Sequence, residues 1–169
     1  MSAEEYAQMT RTLVDVAMGR TCADMVIRDG RWVCVQSGEI LPDSHIAIKD
    51  GRIAYVGPDA SHTIGEETEI IDAAGRYLVP GLLDGHMHVE SGMLTVTEFV
   101  RAVIPHGTTG MFVDPHEIAN VLGRKGIDLF LKQAELVPLD MYIGIPSCVP
   151  ATHLENAGAT ITLKDVEEL

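Results

Sequence analysis

The chain is short of basic residues. Its 169 residues hold 12 Lys and Arg against 25 Asp and Glu, a formal net charge of −13. So acidic a surface repels phosphate backbones and anionic lipid, and neither nucleic acid nor a membrane surface is an expected partner. Cysteine is scarce as well. Cys22, Cys34 and Cys148 are far apart and form no C-x-x-C pair, a spacing that argues against a disulfide framework and a thiolate zinc site. No apolar run approaches the roughly 18 residues of a membrane-spanning helix. The start, Met1-Ser2-Ala3-Glu4-Glu5, is acidic and unlike a basic, apolar leader, so the expected location is the cytoplasm. No repeat or low-complexity tract is visible. What is present is a 46% hydrophobic composition, enough to bury a sizeable core and unlike that of a disordered chain.

The periodicity of the apolar residues changes twice along the chain. Residues 1–22 read as an N-terminal helix: Ser2 and Glu5 fit a capping box, and Tyr6, Met9, Leu13 and Val16 recur at helical spacing. Residues 23–80 read as a β-rich, sandwich-like layer of short strands. Asp29-Gly30 and Asp50-Gly51 each separate two such runs, the strongest short hairpin signal, because a type I′ turn needs positive φ at both positions. His45 and His62 have no metal-like neighbours in this region and read as surface residues. From residue 81 onward strands alternate with helices. Thr95 to Glu98 is a second capping box, and strands are expected over 110–113 and 139–145, with helices over 123–135 and from 165. Such βα alternation implies a parallel sheet.

The stretch from Pro80 to Ser91 carries the chemistry. Side chains at i and i+2 of a strand point the same way, so His86 and His88 project together from a strand end. Two neutral imidazoles side by side chelate a first-row divalent metal; the bland alternative is a pair of solvated loop histidines. Glu90 either fixes a histidine tautomer from behind or faces substrate or solvent. Asp114 follows the next strand, where Pro115 keeps it out of helix, and it could cap the turn at Ile118. His116 either contacts substrate or is structural, and Glu117 favours a helix N-terminus. Ser147 and Cys148 end a third strand but have no His–acid partner nearby in sequence, which leaves a nucleophilic role poorly supported. Polar residues at three strand ends point to one shared face, where barrel enzymes place their active sites. His88-Val89-Glu90 also matches the H-x-E of the zinc cytidine-type deaminases, but the required P-C-x-x-C is missing, which rules that class out.

Pro80-Gly81-Leu82-Leu83-Asp84-Gly85-His86-Met87-His88 resembles the first barrel strand of the amidohydrolase superfamily. Within it, Val89-Glu90-Ser91-Gly92-Met93-Leu94-Thr95, His106-Gly107-Thr108-Thr109, Asp114-Pro115-His116-Glu117-Ile118-Ala119-Asn120-Val121 and Pro146-Ser147-Cys148-Val149-Pro150-Ala151-Thr152 resemble the adenine deaminases. The resemblance implies an α/β fold: the start of a metal-dependent (β/α)8 barrel, about three βα units over residues 81–169, preceded by the β-rich layer. It implies hydrolysis of adenine to hypoxanthine and ammonia in purine salvage, with His86 and His88 as ligands of a divalent manganese, iron or zinc ion. Glu90 and His116 become the catalytic candidates, and Asp114, His116 and Ser147 the residues facing a small purine base. Such enzymes are several times longer than this chain. The remaining ligands and the proton donor are therefore expected elsewhere, and the 169-residue chain alone is expected to be weakly active or inactive, self-associating or pairing with a complementary polypeptide. The alternatives are another amidohydrolase, dihydroorotase-like or deacetylase-like, or a non-catalytic scaffold.

Overall fold

The computed structural model describes all 169 residues, which divide into two compact units, Met1–Pro80 and Gly81–Leu169. No helix is long and apolar enough to cross a membrane.

In the first unit, helix α1 (Ala3–Ala17) begins at a complete capping box. The Ser2 hydroxyl accepts the Glu5 N–H, and the Glu5 carboxylate accepts the Ser2 N–H. Five strands follow: β1 (Met25–Cys34), β2 (Glu39–Lys49), β3 (Arg52–Gly57), β4 (Glu69–Asp72) and β5 (Tyr77–Leu78). They form one sheet in the order β3-β2-β1-β4, with β5 beside the second half of β1. Val16 of the helix packs with Ala23, Val26, Ala47 and Ala60, small residues that let a helix lie close to a sheet. His62 Nε2 donates to the Ala17 carbonyl at 3.0 Å and so ties off the helix end. His62 is exposed, as expected, whereas His45 is half-buried, with Nε2 3.8 Å from Asp29.

One of the two expected hairpins forms. At Asp50-Gly51 both residues have positive φ, 50° and 68°, and β2 turns into β3. At Asp29-Gly30 the chain does not reverse. Asp29 is left-handed (φ 56°), but β1 runs straight through, with a register irregularity against β2 between Ile27 and Gly30. Asp-Gly serves a bulge as readily as a turn, since both need a left-handed residue. The bulge wins here because both halves of β1 find the same antiparallel partner on one side, and β4 and β5 in parallel on the other. Gly30 is also where Leu78 crosses; a Cβ there would meet its Cγ at 2.5 Å. The reversal comes instead at Gly38 (φ 74°), whose N–H donates to the Cys34 carbonyl at 2.8 Å.

The second unit is a parallel three-stranded sheet, β6 (Leu82–Met87), β7 (Thr108–Val113) and β8 (Asp140–Ile143), in that order. Thr108 and Thr109 open β7. Helix α2 (Val96–Val103) connects β6 to β7, α3 (His116–Leu122) and α4 (Arg124–Ala134) connect β7 to β8, and α5 (Leu163–Glu168) ends the chain. Alternation along β7 sorts its side chains. Met111 and Val113 bury against Val96, Val100 and Phe130 from the helices, while Phe112 points the other way, half exposed, and stacks on Tyr142 with centroids 4.8 Å apart. Thr95 caps α2 by accepting the Glu98 N–H at 3.4 Å, but the reciprocal half of the box is missing because the Glu98 carboxylate pairs with Arg101.

Two short helices carry the loop after β7, and Gly126 lets them meet. A Cβ at Gly126 would lie 2.7 Å from the Ile118 carbonyl oxygen, a backbone atom that cannot swing away. Alanine is favoured over glycine inside a helix by about 1 kcal/mol, but overpacking costs about 1–3 kcal/mol. Gly126→Ala is therefore expected to destabilise the chain in urea unfolding despite its better helix propensity; a raised unfolding midpoint would refute the close-approach reading.

Candidate metal centre

Met87 fixes the direction of its neighbours. Its side chain packs against the helix-facing core, so His86 and His88, one residue to either side, turn to the opposite face at the C-terminal end of β6. The His86 N–H donates to Asp84 Oδ1 at 3.1 Å, inside the irregular stretch of the β6–β7 ladder between Asp84 and Met87. The ring nitrogens converge: His86 Nε2 lies 2.9 Å from His88 Nε2. Asp114, held at the end of β7 by its N–H to the Met87 carbonyl, brings Oδ2 to 4.0 Å from His88 Nε2. One ligand atom from each of His86, His88 and Asp114 lies within 4.8 Å of the others.

These residues fit a divalent cation. Two nitrogens on one tetrahedral ion at about 2.1 Å sit about 3.4 Å apart, a small opening from the 2.9 Å hydrogen-bonding distance between the rings. Asp114 Oδ1 is buried and has no hydrogen-bond partner. It is 3.7 Å from His116 Nδ1, beyond hydrogen-bond reach. An unpaired buried carboxylate oxygen is costly unless a cation or a donor satisfies it.

Beside the centre opens a cleft of about 390 Å3, lined among others by His86, Asp114, His116, Tyr142, Ser147 and Cys148. It thus brings together residues from all three strand ends. Glu90 is not among its lining residues. Its Oε1 accepts the Ile118 N–H at 3.1 Å, which supplies the missing cap of α3 from a different element. Asp114 does not provide that cap. Nor does Glu90 orient a histidine: Glu117 does, its Oε2 3.0 Å from His88 Nδ1, while its Oε1 accepts the Ser91 hydroxyl at 2.5 Å. In the sequence Glu117 reads only as a residue favouring a helix N-terminus: it lies 29 residues from His88, and only the return of the chain through β7 makes them neighbours.

The two glutamates titrate in opposite directions. Burial pushes the Glu90 carboxyl up, and the neighbouring Glu117 charge adds to this, against hydrogen bonds from its own N–H and that of Ile118. Burial also acts against charge on Glu117, yet hydrogen bonds from Ser91, its own backbone and His88 hold its carboxyl below the usual range. A raised folded pKa means that Glu90 favours folding while protonated and that this contribution is lost as pH rises through the folded value. Glu90→Gln keeps the acceptor for Ile118 and removes the charge. In the metal-free chain it should match the parent near pH 4 and exceed it in stability near pH 7, whereas Glu90→Leu should be less stable at both. Urea unfolding at the two pH values decides it; a Gln variant weaker than the parent at neutral pH would contradict the burial argument.

Comparison with known proteins bears on this geometry. Over 98% of its length the chain is 65% identical to "Adenine deaminase 3" of Rhizobium meliloti, and over 95% it is 55% identical to the adenine deaminase of Rubrobacter xylanophilus. It spans only 28% and 27% of those relatives. Among solved structures, an atrazine chlorohydrolase from Arthrobacter aurescens complexed with zinc and atraton superposes with a TM-score of 0.58 at 20% identity, covering 71% of this chain and 35% of that one. Molinate hydrolase gives 0.54 at 18% identity, over 73% and 30%. At such identities these structures speak for the fold alone. The amidohydrolase family model matches residues 77–168. That family is metal-dependent, a property with which the His86–His88–Asp114 group is compatible. The match takes in more than half of the residues and all three strands of the parallel sheet, and the chain belongs to the amidohydrolase family.

Proposed function

We propose that these residues carry the first part of the active site of an enzyme that hydrolyses adenine to hypoxanthine and ammonia, a purine-salvage reaction of the cytoplasm. The observation that carries the reading is the convergence of His86 and His88 at 2.9 Å, with Asp114 Oδ2 4.0 Å from His88, in a chain similar over nearly its whole length to adenine deaminases. His86 and His88 would hold a divalent ion. Imidazole with carboxylate suits manganese, iron or zinc. When bound, such an ion supplies hydroxide near neutral pH by lowering the pKa of water.

The chain's own groups have separate tasks. The cleft beside the rings is roomy enough for a purine base, with Phe112 and Tyr142 as an aromatic wall. His116 and Ser147 line it, and their polar groups would orient the ring nitrogens and the amino group. Asp114 would accept a proton or a hydrogen bond from substrate, or complete the ion's shell. Glu90 acts by anchoring α3, which carries His116. The open edges of the sheet, β6 and β8, are where the chain would self-associate or meet the strands that complete a barrel.

Two measurements test this. Manganese or zinc binding by the 169-residue chain should weaken at least about ten-fold in His86→Ala and His88→Ala. Adenine conversion by the same chain should be slow or absent, because a barrel of this type uses eight βα units and about 250 residues. Conversion should appear when the chain is joined to the further strands of a longer homologue, and vanish with either histidine. Conversion that survives both substitutions would overturn the proposal.

A further inference from the structure

The geometry points to Glu117 and Ser91 as a positioning pair that holds His88 in the one tautomer able to bind a divalent ion through Nε2, and so sets the metal affinity of the site. The inference rests on the reading of His86 and His88 as ligands. Neither Glu117 nor Ser91 is placed to touch ion or substrate; they act through His88.

A neutral imidazole has one N–H and one lone pair. A carboxylate can only accept, so the 3.0 Å contact between Glu117 Oε2 and His88 Nδ1 puts the hydrogen on Nδ1. The lone pair is then on Nε2, the atom that faces His86. Without Glu117, both tautomers become available, and one of them presents an N–H where a lone pair is needed. The carboxylate is itself held. Its other oxygen takes the Ser91 hydroxyl, so both oxygens are committed and its rotation is blocked. Ser91 sits in the 3-10 turn Val89–Gly92 just after β6, and Glu117 on the first turn of α3 just after β7. The pair therefore clamps two neighbouring strand ends. Glu90 reinforces it from below, since its bond to the Ile118 N–H fixes the backbone next to Glu117. His86 has no such carboxylate, which makes the device specific to one ligand.

The test uses the 169-residue chain with zinc(II) as the probe. Nitrogen-15 spectra of the metal-free protein report the tautomer of each histidine, and competition with a chelating dye reports zinc affinity. The parent should show His88 protonated on Nδ1 and bare on Nε2. Glu117→Leu should mix the tautomers and weaken zinc binding by about 10- to 100-fold. Glu117→Gln, which retains an accepting oxygen, should recover part of that loss. Ser91→Ala should give a smaller loss in the same direction, and as a minor surface change it decides the matter should Glu117→Leu fail to fold. If Ser91→Ala and the Glu117 variants keep both the parental tautomer and the parental affinity while His88→Ala loses zinc, this inference falls and the ligand reading stands. If His88→Ala binds zinc like the parent, the ligand reading falls and this inference with it.

Discussion

The packing of half-buried Met87 against the core organises the chemistry of this chain. A strand alternates, and once its penultimate polar stretch must send one residue into the core, the two on either side are committed to the other face. Met87 packs among the valines and Phe130 of the helix-facing core, and His86 and His88 are thereby forced to share one small volume at the strand end. Without an ion the two rings share one hydrogen bond at 2.9 Å, with Asp114 Oδ2 4.0 Å from His88, a set of ligand atoms that a cation can draw together. The core imposes that arrangement on the site.

The shell around the histidines follows the same logic. Glu90 is half-buried with one oxygen unpaired, and its carboxyl is pushed up by desolvation. It nonetheless does work that no residue of α3 does for itself, because Pro115 at the N-cap has no side chain with which to accept an N–H. A buried acid that disfavours its own ionisation is a weak choice for stability and a common one near sites where function sets the chemistry. Gly126 makes a related compromise. It gives up helix propensity so that α4 can approach α3, the helix on whose first turn His116 and Glu117 stand. Fold and site are thus linked through a few short contacts within the second unit.

Much of this was legible in the sequence. The Ser2–Glu5 box, the Asp50-Gly51 hairpin, the change to βα alternation near residue 81 and the shared direction of His86 and His88 all depend on neighbours in the chain. So does the resemblance to amidohydrolases, which rests on contiguous motifs, and the family match over residues 77–168 agrees with it. The local signals that misled were those with two physical outcomes. Asp29-Gly30 satisfies a bulge as well as a turn, and the choice was made by β2, β4 and β5, which pair with both halves of β1.

What the sequence by itself determined was which polar and ligand-type residues lie at the strand ends, because periods of two and 3.6 residues are written into the backbone. What only the tertiary structure decided was who serves whom. Glu90, two residues from His88, caps a helix from another part of the chain, and Glu117, 29 residues away, orients the ring. Asp114, which could have capped α3 or faced substrate, leaves the cap to Glu90 and stands with Oδ2 4.0 Å from His88 and Oδ1 3.7 Å from His116. Hydrogen-bond partnerships of this kind form across parallel strands, where the intervening helix separates in sequence what the sheet brings together in space.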